Sequence, residues 1–125
     1  MNQTVRAYLT ALEAADLEGM VSLFTEDAWV LSPFLGRMPA RNFFKRVIDA
    51  SAATRLTVHD VLVSAEGHPR AIGYFLYDWW LLDGSRVSFD CADVFDFDPE
   101  SGRIRSMTIL YDTHMIRTAV GDKYG

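Results

Sequence analysis

Residues 71–97 read AIGYFLYDWWLLDGSRVSFDCADVFDF, and this stretch decides the fold. Two runs rich in aromatic and branched residues, 71–82 and 86–97, are separated by Asp83-Gly84. Both central residues of a type I′ turn need positive φ, and Asp-Gly is a pair that this turn favours. We therefore predict a hairpin of two long antiparallel strands. Further strands at 55–64 and 103–111 extend it into a meander, because looser turn residues separate them from the hairpin.

The residues before this meander repeat with a helical period. Asp16 is placed to cap a second helix and Pro39 to open a third, and a short strand is predicted at 28–31 between them. The three apolar helix faces would be Val5, Tyr8, Leu9 and Leu12; Leu17, Met20, Val21 and Phe24; and Ala40, Phe43, Phe44, Val47 and Ile48. We predict one α+β domain over residues 1–125, a cone-shaped α+β barrel in which three N-terminal helices pack on a strongly curved antiparallel sheet and enclose an apolar pocket.

Composition excludes several classes of protein. The net charge of −5 disfavours nucleic acid as a partner, because phosphate binding needs a basic surface. No stretch approaches the roughly 20 apolar residues that cross a bilayer, and the N-terminal residues lack the apolar core of a signal peptide. The single cysteine, Cys91, excludes an intramolecular disulfide and suits a reducing compartment. We expect a cytoplasmic protein with neither nucleic acid nor membrane as a partner.

The strand at 86–97 contains one residue that breaks its pattern. Alternate residues form a face that is apolar except at Asp93: Val87, Phe89, Cys91, Asp93, Phe95 and Phe97. A carboxylate among such neighbours is costly unless it is hydrogen-bonded, paired or protonated. We expect burial to favour the protonated acid, which can donate a hydrogen bond at neutral pH. Asp93 is therefore a candidate functional group, and the alternative is a structural aspartate bonded to backbone or to tyrosine hydroxyls.

Asp78 repeats this logic on the preceding strand. It shares its face with residues that are apolar or amphipathic: Ile72, Tyr74, Leu76, Trp80 and Leu82. If that face is the inner one, two carboxylates enter one pocket, and their repulsion raises one of the two pKa values. The alternative is a bulged or edge-exposed strand that leaves Asp78 in water. The sequence does not decide between these two arrangements.

The other candidate residues carry weaker signals. Tyr8 and Tyr111 have the amphipathic shape that lines a pocket, although packing alone explains either one. Cys91 is expected to pack as a small hydrophobe. A residue of the C-terminal segment, His114, is a weak candidate to close over the pocket. No metal site is predicted, because the histidines lack metal-ligand spacing and no cysteine pair accompanies them: His59, His68 and His114.

Several stretches resemble the nuclear-transport-factor-two-like superfamily. Residues 92–97, ADVFDF, and 102–107, GRIRSM, are similar to its closing strands. The likeness extends to 6–9 (RAYL), 23–28 (LFTEDA) and 32–34 (SPF), so it covers nearly the whole chain. Within the superfamily, the chain is most similar to the SnoaL-like polyketide cyclases and the ketosteroid isomerases. These motifs are strong for the fold and weak for the reaction, because one scaffold hosts many activities.

The resemblance implies roles for individual positions. Tyr8 matches the tyrosine that binds the oxyanion in the isomerases, and Asp93 matches the aspartic acid that stays protonated beside it. The isomerase base precedes Pro-Phe and is here Ser32, whose hydroxyl cannot act unaided as a base near neutral pH. Two further tyrosines of the isomerase network correspond to Phe24 and Phe44. In the SnoaL-like cyclases, the aspartate that matches Asp93 itself acts as acid and base.

The leading hypothesis is an enzyme of the SnoaL-like or ketosteroid isomerase-like kind, without metal or organic cofactor. It would be an isomerase or cyclase that moves a proton next to the carbonyl of a lipophilic substrate. Its catalytic residues would be Asp93, Tyr8 and Asp78, with Asp78 as the candidate replacement base. Substrate-binding side chains are predicted at Ser32, Phe43, Phe44, Leu56, Leu76, Trp80, Phe89, Cys91, Ile109 and Tyr111.

Two non-catalytic alternatives use the same fold. One is a domain that binds a small hydrophobic ligand, which loss of the base at Ser32 favours. The other is a dimerisation module, because Phe75, Tyr77 and Trp79 would form a contiguous aromatic patch on an open sheet face. The family resemblance also implies a homodimer formed through the outer face of the sheet.

Overall fold

The computed structural model describes residues 1–113. There are three helices: α1 (Asn2–Glu13), α2 (Leu17–Val21) and α3 (Ala40–Ala50). There are six strands in this part of the chain: β1 (Phe24–Ser32), β2 (Gly36–Pro39), β3 (Ser51–Val63), β4 (Arg70–Leu81), β5 (Arg86–Phe97) and β6 (Ile104–Leu110). The predicted fold class is confirmed, since three helices pack on one curved sheet. No helix within residues 1–113 is both long enough and apolar enough to cross a membrane.

The strands form a single sheet in the order β2-β1-β6-β5-β4-β3. Strands β3 to β6 pair antiparallel, as predicted, whereas β1 lies parallel to β6, for example where Val30 pairs with Met107. Strand β2 was not predicted. It returns along β1 from a pair between Ser32 and Gly36, and Gly36 supplies the positive φ (67°) of this short connection.

The turn between β4 and β5 differs from the predicted one. The Gly84 amide donates to the Leu81 carbonyl at 3.0 Å, and the Leu81 amide donates to the Ser85 carbonyl at 2.9 Å. Gly84 has positive φ (87°), whereas Asp83 does not. The connection is therefore a three-residue turn with a bulge, not a two-residue type I′ turn. One residue of difference in a hairpin moves every side chain of a strand to the other face.

Cross-strand pairs show which residues of β4 point inward. Asp93 lies opposite Gly73, and Phe89 lies opposite Tyr77. Directly opposed residues of an antiparallel pair lie on the same face of the sheet. The odd-numbered residues of β4 therefore share the inner face with Asp93, and the even-numbered residues lie on the outer face.

Helix α1 packs closely on this inner face. Its buried side chains are the four predicted from periodicity: Val5, Tyr8, Leu9 and Leu12. Gly73 of β4 permits the close approach, because a Cβ there would stand 3.1 Å from Cγ1 of Val5. Asp16 caps α2, as predicted, by accepting the Gly19 amide at 3.0 Å. The close packing of α1 on the sheet, and with it the position of Tyr8, thus depends on a residue without a side chain at position 73.

Candidate functional site

A cavity lies between the helices and the inner face of the sheet. The space inside it that the centre of a water molecule can reach is about 50 Å³, whereas one water needs roughly 10–15 Å³. Its wall is mostly apolar and aromatic: Tyr8, Leu12, Ser32, Phe43, Val47, Phe75, Tyr77, Trp79, Phe89, Cys91, Asp93, Ile109 and Tyr111. The cavity therefore suits a small, compact ligand with few polar groups.

Asp93 contributes a carboxyl group to the cavity wall, and among residues 1–113 no other carboxyl group lines the cavity. Strand β5 places it on the inner face, where it is 2% exposed. Burial raises the pKa of the Asp93 carboxyl from 3.8 to about 7, and a hydrogen bond from Cys91 opposes the rise by a smaller amount. At neutral pH both protonation states are populated, so the group can donate or accept a proton.

Cys91 is a polar neighbour of Asp93 as well as a packed side chain. Its Sγ donates to Oδ1 of Asp93 at 3.3 Å, two residues along the same face of β5. Burial and the nearby carboxylate raise the pKa of the Cys91 thiol. The thiol therefore remains a neutral donor that orients the carboxyl group.

Tyr8 brings a phenol from α1 to the same cavity. Its ring lies edge-on to Phe95 at 5.3 Å between centroids, and packs against Phe44 at 5.7 Å and Phe24 at 6.0 Å. Burial first, and the Asp93 carboxylate second, raise the pKa of the Tyr8 hydroxyl well above its ordinary value. The hydroxyl stays protonated at neutral pH and can donate a hydrogen bond.

Aromatic rings surround the outer part of the cavity. Phe89 stacks on Tyr77, with 5.2 Å between centroids and 16° between planes, and contacts Tyr111 at 4.8 Å. Tyr111 in turn contacts Phe34 at 6.2 Å. These contacts tie together β4, β5, the end of β6 and the β1–β2 connection around one space.

Ser32 lies in the wall at the end of β1. Its hydroxyl oxygen accepts the Leu35 amide at 3.2 Å, which stabilises the turn into β2. The residue thus has a local structural role in addition to its place in the cavity. A hydroxyl so placed offers no base near neutral pH.

The structure corrects the prediction that Asp78 enters the pocket. Asp78 lies on the outer face of β4, where Arg86 donates to its Oδ1 at 2.8 Å and Ser88 donates to the same oxygen. These two hydrogen bonds lower the pKa of the Asp78 carboxyl. The three-residue turn is the physical reason, because it places the even-numbered residues of β4 outside.

Other predicted pocket residues also lie elsewhere. Leu76 and Trp80 share the outer face of β4 with Asp78, for the same reason. Leu56 lies on β3 in a groove beside α1, and its amide donates to Oε2 of Glu13 at 2.8 Å. Phe44 is fully buried behind the cavity wall. The predicted outer aromatic patch is likewise wrong, because its three members line the cavity: Phe75, Tyr77 and Trp79.

The wall contains eight residues that the sequence indicated as catalytic or substrate-binding and five that it did not. The first set is Tyr8, Ser32, Phe43, Phe89, Cys91, Asp93, Ile109 and Tyr111. The second set is Leu12, Val47, Phe75, Tyr77 and Trp79. Leu12 and Val47 were predicted to face the core, whereas the three β4 residues could be found only from the length of the turn that sets their pairing with β5.

Neither His59 nor His68 lines the cavity. His59 lies on the outer face, where it contacts Asp90 at 2.8 Å and Tyr74 at 4.6 Å between ring centroids. His114, proposed from the sequence as a cover for the pocket, lies outside the described residues. Within residues 1–113, no group of three or more His, Cys, Asp or Glu side chains is arranged to hold a metal ion.

The chain matches the family model of the SnoaL-like domain over residues 5–107. No curated protein matches the chain. One similar solved structure is a protein assigned as a SnoaL-like polyketide cyclase from Shewanella denitrificans, with 13% identity, a TM-score of 0.78, and coverage of 97% of this chain and 96% of that chain.

Two other solved structures share the architecture. An NTF2-like protein of unknown function from Burkholderia pseudomallei has 23% identity and a TM-score of 0.76, and the match covers 94% of this chain and 95% of that chain. A protein with a ketosteroid isomerase-like fold from Catenulispora acidiphila, solved in complex with trimethylamine, has 13% identity and a TM-score of 0.78, covering 94% and 92%. At these identities the likeness shows the fold.

Proposed function

The chain belongs to the SnoaL-like domain family, and from this premise we propose that it is an enzyme that moves a proton next to the carbonyl group of a small lipophilic substrate. The supporting observation is Asp93, a buried carboxyl with a pKa of about 7 in the wall of an apolar cavity. Strongly shifted carboxyl groups in clefts are typical of catalytic acids and bases. The reaction is an isomerisation or a cyclisation that needs neither metal nor organic cofactor.

One carboxyl group serves as base and then as acid. Ionised Asp93 takes a proton from the carbon next to the carbonyl, and the electron pair moves onto the carbonyl oxygen as an enolate. The Tyr8 hydroxyl donates to this oxygen, which carries charge only as the reaction proceeds. Protonated Asp93 then returns the proton to another carbon, or to the alkoxide formed when the enolate carbon attacks a second carbonyl. A pKa near the working pH favours both transfers.

The arrangement of the other polar groups supports a mechanism with a single acid. Asp78 lies on the outer face and is ion-paired with Arg86 at 2.8 Å, so it is unsuited to the role of second base. Ser32 occupies the position of the isomerase base with a hydroxyl that already accepts the Leu35 amide. The role of base therefore falls to Asp93.

The test follows protons next to a carbonyl in two small probes. The protein is incubated with cyclohexanone in D2O, with deuterium uptake read by NMR, and with cyclohex-3-enone, with the conjugated product read by ultraviolet absorbance. We expect both reactions to be faster with the parent than with Asp93→Asn. The rate of the parent should rise with pH through about 7, because the ionised carboxyl is the base. Asp90→Asn, which changes an exposed carboxylate on the outer face of β5, is the matched control. Equal rates for the parent and Asp93→Asn, with probe binding demonstrated, would refute this function.

A second candidate function is a non-catalytic domain that binds a small hydrophobic ligand. Ser32 stands where a base would be, and Phe24 and Phe44 pack on the Tyr8 ring where the isomerases have tyrosines. The relative from Catenulispora acidiphila, solved with trimethylamine, illustrates this fold with a small molecule bound. The discriminating variant is Ser32→Asp: isomerase activity that appears only in this variant would assign the parent to binding.

We also propose that two copies of the chain associate through the outer face of the sheet. Tyr74 of β4 is 41% exposed and Leu110 of β6 is 53% exposed, and both lie on this face. A shared apolar sheet face is a common way for two copies of one chain to associate. Light scattering should give twice the chain mass for the parent and the mass of one chain for Tyr74→Arg. The control variant Leu82→Arg, at the exposed turn, should keep twice the chain mass. A monomeric parent would contradict the assembly.

A further inference from the structure

We propose that the cavity also binds a compact organic ammonium ion, with the Asp93 carboxylate as its counter-ion and the aromatic wall around it. This ligand has the opposite charge to the enolate of the reaction proposed above. The inference depends on the same cavity but not on any proton transfer to a substrate.

The charge of the cavity wall is the first support. Asp93 is its carboxyl group, and among residues 1–113 no Lys, Arg or His side chain lines it. The other titratable groups of the wall are three phenols and a thiol, none of which can carry a positive charge: Tyr8 from α1, Tyr77 from β4, Tyr111 after β6 and Cys91 from β5. From β6, the residue opposite Asp93 is the apolar Ile109. A cationic ligand would therefore bring the positive charge that a buried carboxylate needs.

The aromatic wall is the second support. Seven of the lining residues are aromatic: Tyr8, Phe43, Phe75, Tyr77, Trp79, Phe89 and Tyr111. Aromatic faces attract cations, and quaternary ammonium groups are commonly bound among several rings. The rings are differently tilted, with 56° between Tyr77 and Trp79 and 46° between Phe89 and Tyr111. Such a set of planes surrounds a compact group better than it stacks on a flat one.

The size and the mostly apolar lining of the cavity narrow the class of cation. Its water-reachable space of about 50 Å³ suits a compact group. A methylated ammonium has apolar methyl groups and is weakly hydrated, so it loses less on entering an apolar cavity than a metal ion does. The described wall also lacks the several oxygen ligands that a hard cation requires. An ammonium group with apolar substituents therefore fits the wall better than a metal ion.

The protonation state of Asp93 determines how the affinity for an ammonium ion changes with pH. An ammonium ion needs the ionised carboxylate, so its affinity rises as pH rises through the pKa of Asp93, about 7. By linkage, a bound ammonium ion lowers the pKa of this carboxyl. A ligand that accepts a hydrogen bond from the protonated acid has the opposite pH dependence.

The experiment compares choline with 3,3-dimethylbutan-1-ol, which has the same shape but a carbon in place of the charged nitrogen. Binding to the full chain is measured by calorimetry at pH 5.5, 7 and 8.5, at constant ionic strength. We expect the affinity for choline to rise about thirtyfold from pH 5.5 to 8.5, in proportion to the ionised fraction of Asp93. The affinity for the alcohol should not rise with pH. Equal affinities for the two probes, or a choline affinity independent of pH, would overturn the inference.

Variants separate this site from the proposed reaction. Asp93→Asn should reduce choline affinity at pH 8.5 to that of the alcohol, whereas Asp90→Asn should leave it unchanged. If Asp93→Asn does not fold, NMR titration of the Asp93 carboxyl in the parent provides the test, since saturating choline must lower its pKa. Choline binding without proton exchange would refute the proposed enzymatic function and support the ammonium site. Proton exchange without choline binding would support the enzymatic function and refute the ammonium site.

Discussion

Replacing Asp93 with asparagine should make the protein more stable at pH 8. It should also remove most of the loss of stability that the parent shows between pH 4 and 8. The carboxyl is buried, and its pKa is raised from 3.8 to about 7 in the folded chain. Between these two pH values, the folded protein holds a proton that the unfolded chain has released. Stability is therefore greatest below about pH 4 for this group and falls as pH rises towards 7.

The size of the step follows from the two pKa values. Each pKa unit corresponds to about 1.4 kcal/mol, so a rise of about three units amounts to about 4 kcal/mol between pH 4 and 8. Asparagine has the same shape, carries no charge, and keeps an oxygen that can accept the Cys91 thiol. We expect the free energies of unfolding of the two proteins to be similar at pH 4, and the variant to be more stable by about 4 kcal/mol at pH 8.

The assay is urea denaturation followed by circular dichroism from pH 4 to 8.5, on the parent, Asp93→Asn and the surface control Asp90→Asn. Taking the difference between variant and parent cancels groups that both share. The carboxylates with lowered pKa, Glu18, Asp78 and Asp98, lose their stabilising effect only as pH falls below about 4. A difference between Asp93→Asn and the parent that is constant with pH would refute the account of a carboxyl held near neutrality by burial.

Three further variants probe the surroundings of this acid. Cys91→Ala removes the thiol donor, so NMR should show a higher pKa for Asp93; a lower pKa would contradict the assigned hydrogen bond. Gly73→Ala places a Cβ 3.1 Å from Cγ1 of Val5, so denaturation should show a loss of about 1–3 kcal/mol and weaker ligand binding, and a neutral effect on both would refute the close approach of α1. Asp78→Asn removes an outer ion pair, so it should lower stability above about pH 4 while the pH dependence of ligand binding stays unchanged; a shift in that dependence would place Asp78 in the site after all.

The sequence was sufficient for the fold class and for the burial of Asp93. Period-two alternation along β5 predicted one face that is apolar except at Asp93, and the structure buries this face except at Phe89, which is half-buried. The helical spacing of Val5, Tyr8, Leu9 and Leu12 likewise predicted the buried stripe of α1. Both predictions succeed because side-chain direction within one element depends only on its own period.

The relation between neighbouring elements was harder to predict. Both faces of β4 carry aromatic and aliphatic residues, so its composition does not show which face is inner. The decision rests on the turn, and Asp83-Gly84 is compatible with a two-residue or a three-residue connection. The shape of the cavity and the contact from Cys91 to Asp93 depend on packing between several elements, for which sequence spacing gives no measure.

Two aspartates that look alike in the sequence differ in what neutralises them. Asp78 has an arginine and a serine hydroxyl within hydrogen-bond distance, so its charge is balanced where it stands. Asp93 has one thiol donor, and its ionisation at neutral pH lowers the stability of the fold. An apolar side chain such as its neighbour Phe95 would fill an interior position on this strand without that cost. Because the fold gains nothing from an unbalanced acid at this position, we infer that Asp93 serves the cavity that it faces. A ligand that gives up a proton to it or brings a positive charge would supply the missing partner.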